Sequence, residues 1–271
     1  MSNILKTLNL QSLSNIFGIS VQEIIKLSKI APKLYHEAHI PKKNGKNRKL
    51  EIPNTNLKQI QRIILHKILD KLYIHPKLFG GPGSSTKKAV AEHTRKHVLI
   101  TADIKDFFPC VKSYHVRNMF LRYGASEDTS RILTRLLTYK NHLPQGAPTS
   151  PAIGRLVLFP FAEELDNLLN KIPKSSFSIY VDDIILSGPK GVKGFLSTIR
   201  KMLAHYGFKI NKKTKIMYRS EEQVCLNIRV NDGFAPPTNY LNELKKLAEI
   251  VPPSNPTLKG KISYINYLRK A

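Results

Sequence analysis

An acidic pair inside an apolar run constrains this chain more than any other feature. Asp182 and Asp183 interrupt the segment SIYVDDIILSG, in which apolar residues flank the pair on both sides. Two adjacent carboxylates in such surroundings are costly unless cations or solvent compensate their charge. The pattern therefore predicts strands around a cation-binding acidic centre. The alternative interpretation is an acidic hairpin turn without a ligand.

A third acid ends a second predicted strand. Residues 97–104, HVLITADI, are rich in β-branched residues and include Asp103. Nucleotidyl transfer is catalysed efficiently by two Mg²⁺ ions about 4 Å apart, which require hard oxygen ligands. Carboxylates on two neighbouring strands suffice, because Mg²⁺ takes waters and substrate phosphates as its remaining ligands. Asp103, Asp182 and Asp183 are therefore candidate ligands of two Mg²⁺ ions.

The charge balance indicates a polyanionic partner. Lys and Arg total 44 against 19 Asp and Glu, a formal net charge of +25. Nucleic acid fits this excess better than a membrane surface, because the sequence has no run of about 20 apolar residues. The polar N-terminal sequence does not resemble a signal peptide, and Cys110 and Cys225 lack metal-ligand spacing. We expect a cytoplasmic protein with no membrane partner.

Helical and extended patterns alternate along the chain. The spacing of apolar residues predicts helices over 20–27, 56–73, 114–123, 129–137, 152–170 and 192–206. Residues 40–53 read as a hairpin with a basic tip, or as a solvated surface turn, and residues 78–93 as an irregular loop. After Gly233, proline pairs and two helical stretches indicate a small basic subdomain. The interleaved elements predict an α+β fold.

Four motifs resemble, in order and spacing, those of bacterial reverse transcriptases of the retron type. They are TADIKDFFPCV, LPQGAPTSP, YVDDIILSG and GFKINKKT. The resemblance implies a right-hand polymerase with fingers, palm and short helical thumb. It places an N-terminal helical segment at 1–30, fingers at 31–97, the first part of the palm at 98–113, fingers and palm helices at 114–140, the second part of the palm at 141–232 and the thumb at 233–271.

The resemblance also implies roles for the residues around the acids. Asp103, Asp182 and Asp183 would bind the two Mg²⁺ ions, and the Ile104 carbonyl would be a further ligand beside the triphosphate. Lys213 would protonate or stabilise the leaving pyrophosphate. The alternative for this lysine is an ordinary surface position.

A second group of residues is implied to bind the incoming dNTP. Gln145 and Gly146 would line the nucleotide, while Lys46 and Arg48 on the basic hairpin would hold its triphosphate. Arg48 is the better candidate of the two, because a guanidinium binds phosphate through two hydrogen bonds.

Two adjacent aromatic residues follow the first acid. Phe108 lies where the resemblance implies a steric gate that excludes the ribose 2′-hydroxyl. Consecutive residues of a strand face opposite ways, so one of Phe107 and Phe108 could pack in the core while the other forms the gate.

The activity implied is RNA-directed DNA polymerisation in a retron antiphage defence system. Its partners would be a cognate structured non-coding RNA, the RNA–DNA product and an effector protein. One alternative is an abortive-infection polymerase with template-independent DNA synthesis, which could start from a protein hydroxyl. An alternative of another class is a non-catalytic RNA-binding scaffold, although the three acids are intact.

Three stretches depart from the retron pattern. The stretch AVAEH keeps His93 but lacks the usual Asn, residues 225–227 read CLN in place of Val-Thr-Gly, and Gly154 with Arg155 replaces Ser-Asn. These stretches fall in elements that the resemblance associates with recognition of the RNA and its primer. These departures are compatible with two identities, a divergent retron enzyme and another phage-defence reverse transcriptase.

Overall fold

The computed structural model describes residues 8–41, 45 and 47–270, and it divides into two compact units. The first unit combines Met1–Pro82 with Lys105–Ala162, and the second combines Gly83–Ile104 with Glu163–Ala271. Each unit is therefore built from two separate stretches of chain. The pairing of distant stretches is what positions the acids described below.

Helices and strands are interleaved along the chain, with a run of five helices between β4 and β5. The helices are α1 (Leu10–Phe17), α2 (Val21–Ile30), α3 (Thr55–Lys67), α4 (Thr86–Val90), α5 (Phe107–Cys110), α6 (Ser113–Arg122), α7 (Glu127–Leu137), α8 (Ser150–Val157), α9 (Phe159–Leu169), α10 (Leu196–His205), α11 (Thr238–Ile250) and α12 (Pro256–Arg269). The strands are β1 (Tyr35–Pro41), β2 (Asn47–Pro53), β3 (Leu78–Phe79), β4 (Val98–Asp103), β5 (Ser176–Tyr180), β6 (Asp183–Gly188), β7 (Lys215–Tyr218), β8 (Val224–Cys225) and β9 (Ile228–Arg229).

Side-chain caps fix where several helices begin. At α2, Ser20 Oγ accepts a hydrogen bond from the Glu23 amide, and the Glu23 carboxylate accepts one from the Ser20 amide at 2.7 Å. This reciprocal pair satisfies two of the amides that a helix leaves free at its start. Asn54 caps α3 in the same way by accepting from the Leu57 amide at 3.0 Å.

The first unit contains an antiparallel hairpin packed beside helices. Strands β1 and β2 pair from Tyr35 opposite Pro53 to Pro41 opposite Asn47, which agrees with the predicted hairpin. The fully buried Gln61 of α3 donates to the Tyr35 hydroxyl at 2.7 Å and to the Leu136 carbonyl at 2.9 Å. One side chain thus ties the hairpin to α3 and α7.

The second unit contains the strands that carry the acids. Strands β5, β6, β4 and β7 lie side by side in that order, and each pairs antiparallel with its neighbour. Side chains alternate between the faces of such a sheet. The face that carries Asp183 therefore also carries Ile185, while Ile184 and Leu186 lie on the other face.

A buried cluster covers part of the face that carries Asp183. Leu99 of β4 and Ile185 of β6 belong to a cluster with Val90 of α4, Val230 and Leu268 of α12. These residues are at most 1% exposed. The cluster joins the sheet to the terminal helix and to the β8–β9 hairpin within the second unit.

Four predicted elements differ from those observed. The predicted helix over 192–206 becomes α-helical only at Leu196, after the 3₁₀ helix Lys190–Phe195. The predicted helix over 56–73 ends at Lys67, because Ile68 leaves helical geometry at φ −122° and ψ −66°. The predicted helix over 152–170 is two helices that meet at Leu158. Residues 78–93 are not irregular throughout, since Ser85 caps the short helix α4 by accepting from the Lys88 amide.

The Gly154–Arg155 departure has a packing explanation. A Cβ atom at Gly154 would lie 2.7 Å from the Phe107 ring, so glycine gives that ring its space. Arg155 is 9% exposed, and its guanidinium occupies the space that a Cβ atom on Gly81 would need. Burial lowers the pKa of the Arg155 guanidinium, and the charge of Asp70 opposes that shift. Both residues therefore pack in the interior of the first unit. An RNA-recognition role for this stretch remains a prediction.

Among the residues that the structure describes, no helix has the length and apolar character needed to span a lipid bilayer. The expectation of a cytoplasmic location remains a prediction.

Candidate active site

Strand pairing in the second unit brings the predicted acids together. Asp103, the last residue of β4, lies directly opposite Asp183, the first residue of β6. Tyr180 of β5 also pairs with Asp183, which leaves Val181 and Asp182 as a two-residue hairpin turn. The Ile104 amide donates to the Asp182 carbonyl at 2.9 Å and ties the turn to β4.

The hairpin turn has an unusual backbone conformation. Val181 has φ of 59°, in the left-handed region that β-branched residues rarely adopt. Two-residue hairpin turns favour such angles because they match the twist of the flanking strands. The conformation costs on the order of 1–3 kcal/mol, so the surrounding pairing must impose it. The position of Asp182 is therefore set by the strands on both sides.

A second hydrogen-bonded contact fixes Asp103. The Asn211 side chain donates to Asp103 Oδ2 at 3.1 Å, and the Asn211 amide donates to the Asp103 carbonyl at 2.7 Å. Asn211 was not among the predicted site residues. Its only sequence signal is its place in the motif GFKINKKT, two residues before the lysine selected from that motif.

The acids repel one another. Desolvation, followed by the negative charges of Asp182 and Asp103, raises the pKa of the Asp183 carboxyl to about 6. Asp183 nevertheless keeps an exposed surface, so a ligand can reach it. A bound cation would relieve the repulsion among the three carboxylates.

The donor set fits Mg²⁺ rather than a metal held by protein alone. Within residues 8–41, 45 and 47–270, no three His, Cys, Asp or Glu side chains converge into a complete metal site. Mg²⁺ is commonly bound by one or two carboxylates, with waters and substrate phosphates completing the octahedron. Asp103 and Asp183, paired on adjacent strands, and Asp182 in the turn beside them supply carboxylates of the kind that this coordination uses.

A cavity of about 520 Å³ lies beside the acids in the second unit. Asp103, Asp183 and the predicted Lys213 all line it, as do Lys215 and Asn227. The structure thus places Lys213 at the same cavity as two of the acids. The Ile104 side chain is buried, and the role of its carbonyl as a metal ligand remains a prediction.

In the first unit, the strand that carries Arg48 contacts the turn that carries Gln145 and Gly146. Arg48 is exposed on β2, and three residues later the Glu51 amide donates to the Gln145 carbonyl at 2.7 Å. Gly146 has φ of 135°, and a Cβ atom there would lie 3.0 Å from the Glu51 carbonyl oxygen. Glycine is thus required at this close approach. Lys46, the other triphosphate candidate, lies outside the described residues.

A histidine–glutamate contact supports this turn, and it was missed in the sequence. His142 Nε2 lies 2.8 Å from the Glu51 carboxylate, and His142 Nδ1 lies 3.0 Å from the Lys140 carbonyl. Glu51 is 5% exposed. The sequence pattern NRKLEIP did not predict that its acid, Glu51, would be buried and in contact with a histidine.

The two phenylalanines occupy different environments in the first unit. Phe107 is 2% exposed, whereas Phe108 is half-buried. Their rings lie 5.4 Å apart and are tilted by 52°. They belong to the short helix α5, not to a strand, so the alternation argument used for them was wrong. A gate at Phe108 remains a prediction.

A comparison with protein families decides which family this site belongs to. Residues 40–243 match the family described as Reverse transcriptase (RNA-dependent DNA polymerase), which covers most of the chain and all three acids. The chain belongs to the reverse transcriptase family. The predicted membership is confirmed.

Retron reverse transcriptases are among the relatives of this family member. It is 31% identical over 216 residues to the Retron Mx65 reverse transcriptase of Myxococcus xanthus, covering 71% of this chain and 50% of that protein. It is 30% identical over 234 residues to the Retron Se72 reverse transcriptase of Salmonella heidelberg, covering 81% of this chain and 60% of that protein. The chain thus spans between half and three fifths of the length of these two relatives.

Solved structures with a similar fold include telomerases. Telomerase from Candida albicans, in complex with a fragment of telomeric RNA, matches with a TM-score of 0.57 at 13% identity, over 79% of this chain and 50% of that one. Apo telomerase from Candida tropicalis matches with a TM-score of 0.54 at 11% identity, over 73% of this chain and 46% of that one. These matches confirm the predicted α+β polymerase fold of this reverse transcriptase family member.

Proposed function

We propose that this chain is an RNA-directed DNA polymerase. The observation that carries the proposal is the pairing of Asp103 with Asp183 on adjacent strands, with Asp182 in the turn beside them. Family membership supports the reaction type, and the net charge of +25 supports a nucleic-acid substrate. The substrates would be dNTPs and an RNA template with its growing DNA strand.

The acids and the lysine would have different roles at the reacting phosphate. When bound, two Mg²⁺ ions would supply activation of the attacking hydroxyl and charge stabilisation at the phosphate. Asp103 and Asp182 would be the main ligands, with Asp183 adding negative charge beside them. Lys213 would stabilise or protonate the pyrophosphate that leaves. Asn211 would keep the Asp103 carboxylate in place.

The nucleotide would be held by residues of the first unit. Arg48, together with Lys46, would bind the triphosphate through charge-assisted hydrogen bonds. Gln145 and Gly146 would line the sugar and base. The bond between the Glu51 amide and the Gln145 carbonyl supports this assignment, because it keeps the turn rigid without using the Gln145 side chain.

The terminal helices have features that suit a nucleic-acid duplex, and we assign residues 233–271 to the thumb. Tyr240 and Tyr264 have ring centroids 5.6 Å apart, and Tyr267 continues the row at 6.5 Å. Lys261 Nζ lies 4.5 Å from the Tyr240 ring centroid. Such aromatic and cationic rows bind phosphates and bases without strong sequence preference.

A cognate structured RNA and an effector protein of a retron defence system are the proposed partners. Similarity to retron reverse transcriptases supports both. The test is to purify the protein from its native host and to sequence any nucleic acid that accompanies it. A DNA strand joined to an RNA, and complementary to part of it, is the expected result.

A reaction with defined components tests the polymerase activity itself. The purified protein is given an RNA template, a DNA primer, dNTPs and Mg²⁺, and the products are sequenced. Complementary DNA is expected. Random or homopolymeric DNA would instead indicate template-independent synthesis, and no synthesis by the parent protein would favour the scaffold alternative.

The gate assignment leads to a prediction on sugar selectivity. Phe108→Ala is expected to raise the efficiency of ribonucleotide incorporation relative to dNTPs by about tenfold or more, because the ring would no longer exclude the 2′-hydroxyl. The measurement is kcat/KM for each nucleotide on the same primer and template. Phe107→Ala is the control, and it should lower the free energy of unfolding by about 3–5 kcal/mol without changing selectivity. Unchanged selectivity in Phe108→Ala would remove the gate role.

A further inference from the structure

The histidine of the AVAEH stretch has its ring buried against the strands that carry the acids. His93 ends a short 3₁₀ turn, Ala91–His93, and is 0% exposed. Its Nδ1 lies 2.7 Å from Ser187 Oγ, and its Nε2 lies 2.9 Å from Ser178 Oγ. Both serines are at most 2% exposed. In this conformation, His93 has no surface with which to contact an RNA.

The two serines belong to the two strands of the acidic hairpin. Ser178 is in β5, four residues before Asp182, and Ser187 is in β6, four residues after Asp183. At about 3.3 Å per residue, the bridge lies about 13 Å from the acids along the strands. Since His93 contacts both strands, it fixes them relative to each other at the base of the hairpin.

The bridge lies on the sheet face that also carries the acids. Ser178 pairs with Ile185, and Ser176 pairs with Ser187. Directly paired residues share a face, and side chains alternate along each strand, so Ser178, Ser187 and Asp183 face the same side. The turn that ends at His93 therefore covers the same face of the sheet as the acids, at the end of the strands away from the hairpin turn.

The hydrogen-bonding chemistry suits a permanent structural bridge. A neutral imidazole has one donor and one acceptor, and a serine hydroxyl can serve as either. Both ring nitrogens can thus be satisfied without a charge or a water. A buried polar group that lost its partner would be penalised, so replacing any member of the bridge loosens the other two.

We propose that His93 is a positioning residue for the polymerase reaction, which acts by bridging β5 and β6 so that the acidic hairpin keeps its geometry. The proposal rests on the function proposed above. It reassigns the AVAEH stretch from RNA recognition to support of the acids. The strained turn at Val181 needs such support, because the flanking strands help to impose its conformation, together with the hydrogen bond from the Ile104 amide to the Asp182 carbonyl.

A series of substitutions at His93 tests the proposal. His93→Leu removes both hydrogen bonds at similar volume, His93→Asn keeps a polar atom near the Nδ1 position, and His93→Gln keeps one near Nε2. Ser178→Ala and Ser187→Ala remove the partners singly and guard against a misfolded His93 variant. His97→Leu is the matched control, since His97 lies four residues after His93 but is exposed.

The readouts separate positioning from RNA contact. On a poly(rA) template with an oligo(dT) primer, His93→Leu should lower kcat for dTTP about 10- to 100-fold while the KM and the duplex Kd stay within about twofold. Asn and Gln should give intermediate values, and His97→Leu should match the parent. A weakened duplex Kd at an unchanged kcat would overturn the proposal in favour of RNA contact.

Amide hydrogen exchange provides a readout that does not depend on activity. Residues 176–188 should exchange faster in His93→Leu and in both serine variants than in the parent and in His97→Leu. Unchanged exchange there would overturn the bridge, whatever the activity. If the parent made no DNA but exchange rose as expected, the polymerase proposal would fail while the bridge itself would stand.

Discussion

The double substitution Asp182→Asn with Asp183→Asn is expected to reduce DNA synthesis by about a thousandfold or more, because it removes carboxylates that are worth several kcal/mol in the transition state. Binding to an RNA–DNA duplex should persist and tighten slightly, since the chain becomes more positive by two charges. The measurements are single-turnover dNTP incorporation and duplex Kd at one fixed salt concentration.

A charge-matched control accompanies this variant. Asp232→Asn with Glu249→Gln also removes two negative charges, and both residues are exposed. Its synthesis rate should equal that of the parent, with the same small gain in duplex affinity. Undiminished synthesis by the double asparagine variant would contradict the proposed role of the hairpin acids.

Gly146→Ala is expected to lower kcat/KM for dNTPs by about 10- to 100-fold. The backbone at φ of 135° strains any residue with a Cβ atom, and that atom would lie 3.0 Å from the Glu51 carbonyl oxygen. A backbone strain of about 1–3 kcal/mol is relieved only if the turn moves, which would displace Gln145 from its proposed position beside the nucleotide. Steady-state kinetics with each dNTP, at saturating duplex, measure the effect.

Two other glycines separate the causes of this effect. Gly18→Ala tests a positive φ, of 69°, where nothing lies within 4 Å, and Gly194→Ala tests an open position without that strain. Gly18→Ala should cost about 1 kcal/mol of stability, and both should leave kcat/KM unchanged. If Gly146→Ala behaved like Gly18→Ala, the close approach to Glu51 would have no part in nucleotide binding.

Local patterns predicted the elements that carry the acids. Residues 97–104 and the segment around Asp182 are short β-branched runs, and the structure forms β4, β5 and β6 there. The pairing of Asp103 with Asp183 joins residues 80 positions apart, which periodicity does not reveal. The ordered motifs of the family resemblance supplied that expectation.

The ends of helices were less predictable than the strands, because apolar side chains remain buried beyond the last helical residue. Leu69 and Leu72 are buried beyond the end of α3, so the apolar spacing extends past Lys67. Leu158 is fully buried at the junction of α8 and α9, and its apolar side chain conceals the break. Apolar spacing records which side chains face the core, not which amides bond in a helix.

The supporting contacts could not be predicted from the sequence. His93 reaches serines 85 and 94 positions away, and Glu51 reaches His142 across 91 positions. Each of these residues is polar, and single polar residues usually indicate exposure. Only the folded chain distinguishes a buried, paired histidine or glutamate from a solvated one.

The central claim is that Asp103 and the turn acids bind two divalent ions together. It is tested most directly by anomalous diffraction from crystals of the protein with an RNA–DNA duplex, a non-hydrolysable dNTP and Mn²⁺. Two manganese peaks about 4 Å apart are expected, both ligated by Asp103 and Asp182. Peaks that bypass Asp103, or acids too far apart to share an ion, would contradict the account.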